Sequence, residues 1–269
     1  EEADGIYAEP DYFTGYYPDN IHTGGGPRLG IPRLPAYTRW RGQLEAKRFM
    51  RMSGLPDVRG RRVIEIGCGR GDLVCGFRDL GADASGVDLA EEAVAAAQLH
   101  GAQAVHGRFE DLEIPEQSVD LIVARQVFEH MQDVGRVSAQ IARTLKTDGR
   151  LVIEVPNDLE GYRHALFSDI WWMIPPIHVR YFNVDNARGI FGRHGLELID
   201  HTTRGNVGGD LGQVAAWHMR RLGLSRLSAS RPGRLALMGF EEACRPADAL
   251  IAKFGSHSAL VLTFRPSSK

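Results

Sequence analysis

The sequence predicts an α/β fold in which helices cover both faces of a mostly parallel, doubly wound sheet. Apolar, strand-like segments alternate with helical segments from residue 63 to about 155. The strands are predicted near 63, 84, 103, 119 and 150, and the helices near 72–80, 90–99 and 133–145. Such alternation produces parallel strands joined by right-handed crossovers. The first strand also runs through three spaced glycines directly into a helix. A ligand is expected at the carboxyl ends of the strands, where the strand order reverses.

The composition is that of an ordinary folded protein without a strong charge bias. The 269 residues are 43% hydrophobic and 25% charged, with a formal net charge of -2, so the whole chain does not attract nucleic acid or an anionic membrane. The three cysteines form no C-x-x-C pair, and we therefore expect neither a metal site nor a disulfide framework. The acidic start lacks the apolar core of a signal peptide, and no apolar run is long enough for a membrane span. These features predict a cytoplasmic protein.

The glycine turn after the first strand has the pattern Glu65-x-Gly67-x-Gly69-x-Gly71. Glycine permits the backbone angles of such a turn and lets a ligand approach the main chain, including that of Cys68. A dinucleotide-binding pattern G-x-G-x-x-G would require glycine at position 72, where the chain has aspartate. The spacing therefore argues against a nicotinamide-dependent oxidoreductase.

The second predicted strand ends at Asp88 and Leu89, about 20 residues beyond the first glycine. A carboxylate at this place in a nucleotide-binding unit accepts hydrogen bonds from both ribose hydroxyls. Aspartate is also a favoured helix N-cap, so the alternative role of Asp88 is to cap the helix that begins near Ala90. Its position directly after a strand favours the ribose role.

Two further segments follow in order. Residues 105–112 predict a strand that runs into an acidic turn, and residues 118–124 predict a fourth strand, followed by Arg125-Gln126-Val127-Phe128-Glu129-His130-Met131. Together with the glycine turn and Asp88, these motifs resemble those of the class I S-adenosylmethionine (SAM)-dependent methyltransferases. The resemblance covers roughly residues 60–202 and the terminal strand.

The resemblance implies a Rossmann-like, seven-stranded sheet with an antiparallel last strand, SAM as the cofactor and S-adenosylhomocysteine as the product. It also implies that the acidic turn lies against the adenine ring, where Phe109 would pack and Glu110 or Asp111 would accept a hydrogen bond. A core position is the alternative for Phe109. The cofactor-binding residues that the resemblance implies are Glu65, Gly67, Cys68, Gly69, Gly71, Asp88, Leu89, Phe109, Glu110, Arg125 and Gln126.

Four segments are expected along the chain: an N-terminal arm and helix over 1–56, the SAM-binding core over 57–205, a helical cap inserted over 206–256, and the terminal strand over 257–269. The first segment contains a predicted helix over 37–52 with apolar Trp40, Leu44 and Phe49 near helical spacing. In related enzymes a residue just before the first motif often reaches the methionine carboxylate of SAM. Arg39 is our candidate for this role, and a surface arginine is the alternative.

The acceptor side is predicted from the segment after the fifth strand. Residues 178–198 resemble a bacterial subgroup of small-molecule methyltransferases, many of which modify natural products, sugars or other metabolites. The aromatic, proline-interrupted loop over 162–182 predicts a mostly apolar pocket. His178 is the candidate general base, and Tyr181 and His130 are further catalytic candidates. A purely structural role is the alternative for the two histidines.

The predicted function is therefore transfer of a methyl group from SAM to an oxygen, nitrogen or carbon nucleophile of a small molecule. A methyltransferase acting on RNA or another polyanion is an alternative, because residues 217–235 contain five arginines and no acidic residue. A catalytically inert SAM-binding protein is another. We expect a small-molecule partner rather than nucleic acid or a membrane, and a homodimer is left open.

Overall fold

The computed structural model describes residues 35–157, 178–205, 243 and 259–267. Within them, seven strands form one sheet in the order β3-β2-β1-β4-β5-β7-β6. The strands are β1 Arg62–Ile66, β2 Asp83–Asp88, β3 Ala104–His106, β4 Val119–Arg125, β5 Leu145–Pro156, β6 Leu196–Arg204 and β7 Ala259–Pro266.

The described helices lie between these strands largely as predicted. They are α1 Pro35–Ser53, α2 Asp72–Asp79, α3 Glu91–Leu99, α4 Val134–Thr144 and α5 Val184–Gly192, with 3-10 turns at Phe109–Asp111 and Phe128–His130. The helices predicted near 72–80, 90–99 and 133–145 correspond to α2, α3 and α4. No described helix combines the length and the apolar character that crossing a membrane requires.

The strand order reverses at the centre of the sheet. From β1 the chain builds outward through β2 and β3 on one side, and β4 and β5 then pair on the other, all in parallel. β7 runs antiparallel between β5 and β6. The predicted mostly parallel, doubly wound sheet with an antiparallel last strand is confirmed. In such a sheet, ligands bind outside the carboxyl ends of the strands at the reversal, here β1 and β4.

Both faces of the sheet are buried, and successive side chains along each strand point to opposite faces. On β1, Ile64 and Ile66 join one apolar cluster, which includes Ile141 of α4 and Phe191 of α5. Val63 joins the other cluster, to which α1, α2 and α3 contribute. Fully burying a large apolar side chain contributes about 1.5–3 kcal/mol to stability. The helices on both faces therefore hold the carboxyl edge of the sheet in a fixed geometry.

Helix α1 buries only part of the face that the apolar spacing predicted. Trp40 is 45% exposed, whereas Ala46 and Phe49 are completely buried. Trp40 and Phe49 lie about 2.5 helical turns apart, which puts them on opposite sides of the helix. The correct inner face includes Gly42, which packs against α2.

Three predicted segments lie mostly or wholly outside the described residues. They are the arm before residue 35, residues 162–177 of the aromatic loop and nearly all of the helical insertion over 206–256. The five arginines behind the polyanion alternative belong to the last of these.

Candidate functional site

The glycine turn leads from β1 into α2 through residues with left-handed backbone angles. The φ angle is 69° at Gly67, 51° at Gly69 and 75° at Gly71, and glycine adopts such angles without strain. A Cβ atom on Gly67 would lie 2.3 Å from a methyl carbon of Val127, and one on Gly71 would lie 2.4 Å from the Cβ of Ala102. The turn therefore has no room for side chains at these two positions, and its main chain lies at the carboxyl edge of the sheet.

Asp88 ends β2 beside this turn and holds it in place. One carboxylate oxygen accepts a hydrogen bond from the Gly69 N–H at 2.7 Å, and the other accepts one from the Ala90 N–H at 3.0 Å. Burial raises the pKa of Asp88, and the main-chain hydrogen bonds oppose the rise. The N-cap residue of α3 is Ala90, and no side chain caps the helix, so Asp88 holds the segment before the helix and is not its N-cap. The carboxylate oxygens keep further lone pairs that can accept from a ligand.

Glu65 lies at the end of β1 with its carboxyl group buried. Burial raises the pKa of Glu65 to about 8; Arg125 opposes this rise, and Asp72 and Asp88 add to it. Within the described part of the chain, the Oε2 atom has no hydrogen-bond partner. A buried polar atom in this state costs free energy until a donor reaches it. The Oε2 atom of Glu65 can therefore accept a hydrogen bond from a donor group of a ligand.

An ionic network lies at the same edge of the sheet. Arg204, at the end of β6, binds the carboxylates of Glu45 on α1 and Glu154 on β5, and Arg125 lies 4.0 Å from Glu45. Burial alone would raise the pKa of Glu45, but the arginines outweigh it and hold that pKa below its usual range. Sequence reasoning missed this network because Arg204 is 159 positions from Glu45 and 50 from Glu154, and no local pattern connects them.

Gln126 turns the chain sharply after β4. Its φ angle is 55°, and its N–H donates to the carbonyl oxygen of Glu154 at 2.7 Å. A left-handed backbone costs a residue with a Cβ atom about 1–2 kcal/mol, and such strain is concentrated at functional sites. The turn carries the chain across the end of β1, where Val127 packs against Gly67.

Three ionisable side chains meet where the 3-10 turn Phe128–His130 contacts the segment that begins at residue 178. Glu129, His130 and His178 each offer one potential metal-ligating atom, and these atoms lie within 4.8 Å of one another. The Nε2 atom of His130 lies 3.7 Å from Oε1 of Glu129. The two imidazole ring centroids are 4.7 Å apart, with the rings inclined at 67°. Sequence reasoning named both histidines but not Glu129.

The Glu129 carboxyl group is the most buried of the three. Its side chain is 1% exposed, against 11% for His130. Burial raises the pKa of Glu129 to about 8, and the nearby carboxylate of Glu154 adds to the rise. Neither carboxyl oxygen has a hydrogen-bond partner among the described residues.

Main-chain contacts fix the two segments of this cluster against each other. The N–H groups of Val179 and Arg180 both donate to the carbonyl oxygen of Glu129, at 2.9 and 3.1 Å. The Arg180 guanidinium donates to the carbonyl oxygen of Met131 at 2.9 Å and to that of Gln132. Four hydrogen bonds thus hold the His178 segment on the turn that carries Glu129 and His130.

A family model described as a methyltransferase domain matches residues 37–201, more than half of the chain. The chain belongs to this methyltransferase family. The resemblance to class I SAM-dependent methyltransferases, inferred from the four motifs, is thereby confirmed.

Named methyltransferases are among its relatives. The ubiquinone biosynthesis O-methyltransferase of Bradyrhizobium sp. (strain ORS 278) is 37% identical over 103 residues, which are 36% of this chain and 41% of that protein. The C-methyltransferase NovU of Streptomyces niveus is 29% identical over 168 residues, which are 61% of this chain and 39% of that protein. The chain therefore spans about two fifths of the length of these curated relatives. A solved SAM-dependent methyltransferase from Archaeoglobus fulgidus shares the fold, with a TM-score of 0.53, 18% identity, and coverage of 83% of this chain and 94% of that one.

Two residues that were predicted to bind the cofactor, Cys68 and Leu89, make contacts within the protein itself. The Cys68 side chain is buried, its sulfur is close to Gly86, and burial raises the pKa of its thiol. The Leu89 carbonyl oxygen lies 2.9 Å from Nε2 of His106. Cys68 can therefore contact a cofactor only through its main chain.

The structure corrects the predicted role of Phe109. This side chain is 2% exposed and belongs to an apolar core cluster with Val87 and Ile114, so its ring offers almost no surface to adenine. The core alternative is the correct one. Glu110 lies in the acidic turn, 3.8 Å from Arg108.

Arg39 also lies elsewhere than predicted. Its guanidinium forms a two-point ion pair with Asp79, at 2.7 and 2.5 Å. Asp79 is the last residue of α2, whereas the glycine turn precedes the first residue, and about 10 Å of helix separates the two ends. Arg39 is therefore a surface residue, and Arg125 is an arginine that does approach Glu65.

Tyr181 lies just before α5. Its carbonyl oxygen accepts a hydrogen bond from Nδ2 of Asn186 at 2.9 Å, and Asn186 forms a reciprocal capping box with Asn183. These contacts anchor the segment around His178 to the start of α5, which agrees with the alternative in which the segment has a structural role. Anchoring of the main chain leaves the side-chain roles of His178 and Tyr181 open.

Proposed function

We propose that the chain is a SAM-dependent methyltransferase that acts on a small molecule. The observation that carries the proposal is the buried Oε2 atom of Glu65, which no described residue engages by a hydrogen bond, beside a left-handed glycine turn. When bound, SAM supplies a methyl group that passes to an oxygen, nitrogen or carbon of the acceptor as the carbon–sulfur bond breaks, and any acceptor proton goes to the protein or solvent.

The residues at the turn fit this cofactor by their chemistry. The methionine part of SAM carries an ammonium group, which can donate to Glu65, and a carboxylate, which can pair with the guanidinium of Arg125. Asp88 can accept from the ribose hydroxyls while it keeps its bonds to the turn. Gly69 would let the cofactor approach the main chain closely, and we assign Gln126 to the methionine side because it directly follows Arg125.

We further propose that the acceptor binds beside His130 and His178. An imidazole next to a hydroxyl group can take its proton as the methyl group arrives. His178, Tyr181 and His130 thus remain the predicted catalytic residues. If His178 acts on the acceptor, His178→Ala should lower kcat while the affinity for S-adenosylhomocysteine stays the same.

The relatives support a small-molecule acceptor, because one is named for ubiquinone biosynthesis and another as a C-methyltransferase. An oxygen or carbon nucleophile is therefore the first class to test. The alternatives are transfer to RNA or another polyanion, and SAM binding without catalysis. A cytoplasmic location and a homodimer stay predictions from the sequence.

Calorimetry with S-adenosylhomocysteine tests the cofactor. We expect binding in the micromolar range or tighter, about -8 kcal/mol or better, and Gly69→Val should abolish it by blocking the turn. NADH serves as the control ligand and should produce no binding heat. Absence of S-adenosylhomocysteine binding at millimolar concentration would contradict the proposal.

Methyl-labelled SAM then identifies the acceptor class. The labelled cofactor is incubated with the protein and either a bacterial metabolite extract or mixed RNA. Label in the metabolite fraction supports the proposed function. Label in RNA with a steep salt dependence supports the polyanion alternative, and binding without transfer to either supports the inert one.

A further inference from the structure

We propose that Glu129, His130 and His178 form a binding site for one divalent transition-metal ion. The cluster offers one carboxylate oxygen and two imidazole nitrogens. Zn²⁺ and its neighbours in the transition series prefer such mixed nitrogen and oxygen ligands. No metal site was expected from the sequence because the three cysteines form no C-x-x-C pair, and His178 is brought to the other two ligands only by folding.

The separations within the cluster match the size of such an ion. Ligand atoms at about 2.0–2.2 Å from a tetrahedral Zn²⁺ lie roughly 3.3–3.6 Å from one another. The Glu129 and His130 atoms are 3.7 Å apart, and all three potential ligand atoms lie within 4.8 Å. Small side-chain rotations are therefore enough to bring the third ligand, His178, to the ion.

The state of Glu129 gives independent support. Its carboxyl group is 1% exposed, and no described residue donates a hydrogen bond to either oxygen. Burying a carboxyl group without donors is costly, and protein interiors rarely leave both oxygens unsatisfied. A cation held between this carboxylate and two imidazoles satisfies it.

The surrounding main chain prepares the site in advance. The hydrogen bonds from Val179 and Arg180 to the Glu129 carbonyl oxygen set the distance between the two segments that supply the ligands. Arg180 fixes the same turn again through Met131 and Gln132. A preorganised backbone of this kind distinguishes a built site from a chance meeting of long side chains.

Three protein ligands leave one position of a tetrahedral ion open, which is the arrangement of catalytic rather than structural zinc sites. An oxygen of the acceptor can take this position. A metal-bound hydroxyl releases its proton more readily, so the ion would both hold the acceptor and prepare its oxygen. This extension rests on the proposed function, whereas metal binding itself does not.

The test uses the full chain after treatment with a chelator. Co²⁺ is titrated in and followed by visible absorption, and Zn²⁺ affinity is measured by competition with a chromophoric chelator. We expect saturation at one equivalent and a rise in thermal stability with Zn²⁺. Glu129→Gln, His130→Ala and His178→Ala should each weaken Zn²⁺ binding by at least about tenfold.

His201→Ala is the matched control, because this histidine is exposed on β6 and should leave the affinity unchanged. Failure of the wild-type chain to bind either ion, or equal binding by the wild type and the two histidine variants, would overturn the proposal. If Glu129→Gln does not fold, the Zn²⁺ affinities of the two histidine variants are sufficient to test the proposal. S-adenosylhomocysteine calorimetry on the same samples separates the outcomes: cofactor binding without metal binding refutes only the metal site, and metal binding without cofactor binding refutes only the proposed function.

Discussion

Gly42 on α1 and Gly76 on α2 lie in direct main-chain contact. A Cβ atom at Gly76 would lie 2.1 Å from the carbonyl oxygen of Gly42, and one at Gly42 would lie 2.2 Å from that of Asp72. The two helices thus cross with no side chain between them. Because α2 continues the glycine turn, this crossing ties α1, and with it Glu45 of the ionic network, to the cofactor side of the fold.

Gly76→Ala should destabilise the protein by about 1–3 kcal/mol, because the added methyl group meets backbone atoms that cannot rotate away. Urea denaturation measures the change. Gly189→Ala in α5 is the control, since nothing lies within 4 Å of its added Cβ, and it should be neutral or stabilising by up to about 1 kcal/mol. A Gly76→Ala variant as stable as the wild type would contradict the close crossing.

Asp88→Ala should weaken S-adenosylhomocysteine binding about a hundredfold, which corresponds to about 3 kcal/mol for two lost hydrogen bonds to ribose. It should also lower the free energy of unfolding, because the bonds to Gly69 and Ala90 disappear. Calorimetry and urea denaturation measure the two effects. Asp83→Ala, at the exposed start of the same strand, should change neither, and an unchanged dissociation constant for Asp88→Ala would show that the ribose is held elsewhere.

Glu65 should make the protein less stable as the pH rises. Its folded-state pKa is about 8 against an ordinary value of 4.5, so between these values the folded chain keeps a proton that the unfolded chain has released. Stability from this group is then lost by up to about 1.4 kcal/mol per pH unit, and the loss is complete above the folded pKa. Glu65→Gln should gain stability relative to the wild type between about pH 5 and pH 8 in urea denaturation, and parallel pH profiles would refute this account.

The same group should couple cofactor binding to proton release. An ammonium group at Oε2 favours the charged carboxylate, so below its pKa of about 8 Glu65 loses its proton when S-adenosylhomocysteine binds. The affinity should rise with pH by up to about tenfold per unit. Calorimetry in two buffers of different ionisation enthalpy counts the released protons, and Glu65→Gln should release fewer. Identical proton release from both proteins would place the ammonium group elsewhere.

The sequence predicted those features that local patterns encode. The glycine turn, Asp88 and the strand that ends at Arg125 are each defined by residues within a few positions of one another, and the structure has them at one edge of the sheet. Glu129 gave no such signal, because a glutamate is rarely buried without a partner and its neighbour His178 lies far along the chain.

Contacts between side chains that are distant in the sequence could not be predicted either. Arg39 was assigned from its position before the first motif, but its actual partner, Asp79, is fixed by the crossing of α1 and α2. The sequence left two roles for Phe109, contact with adenine or a place in the core. Its packing in one apolar cluster with Val87 and Ile114 shows that it belongs to the core.

The antiparallel β7 also constrains the order in which the protein can fold. Among the described strands, β6 pairs only with β7, and the register joins Arg204 to Ala259, across 55 intervening steps of the chain. During synthesis, β1 to β5 can assemble while β6 still lacks a neighbour. Pairing across such a long separation is slow because the chain must first close a large loop. Insertion of β7 between β5 and β6 is thus expected to be a late event in folding, and until then the edges of β5 and β6 that β7 covers are open to other chains.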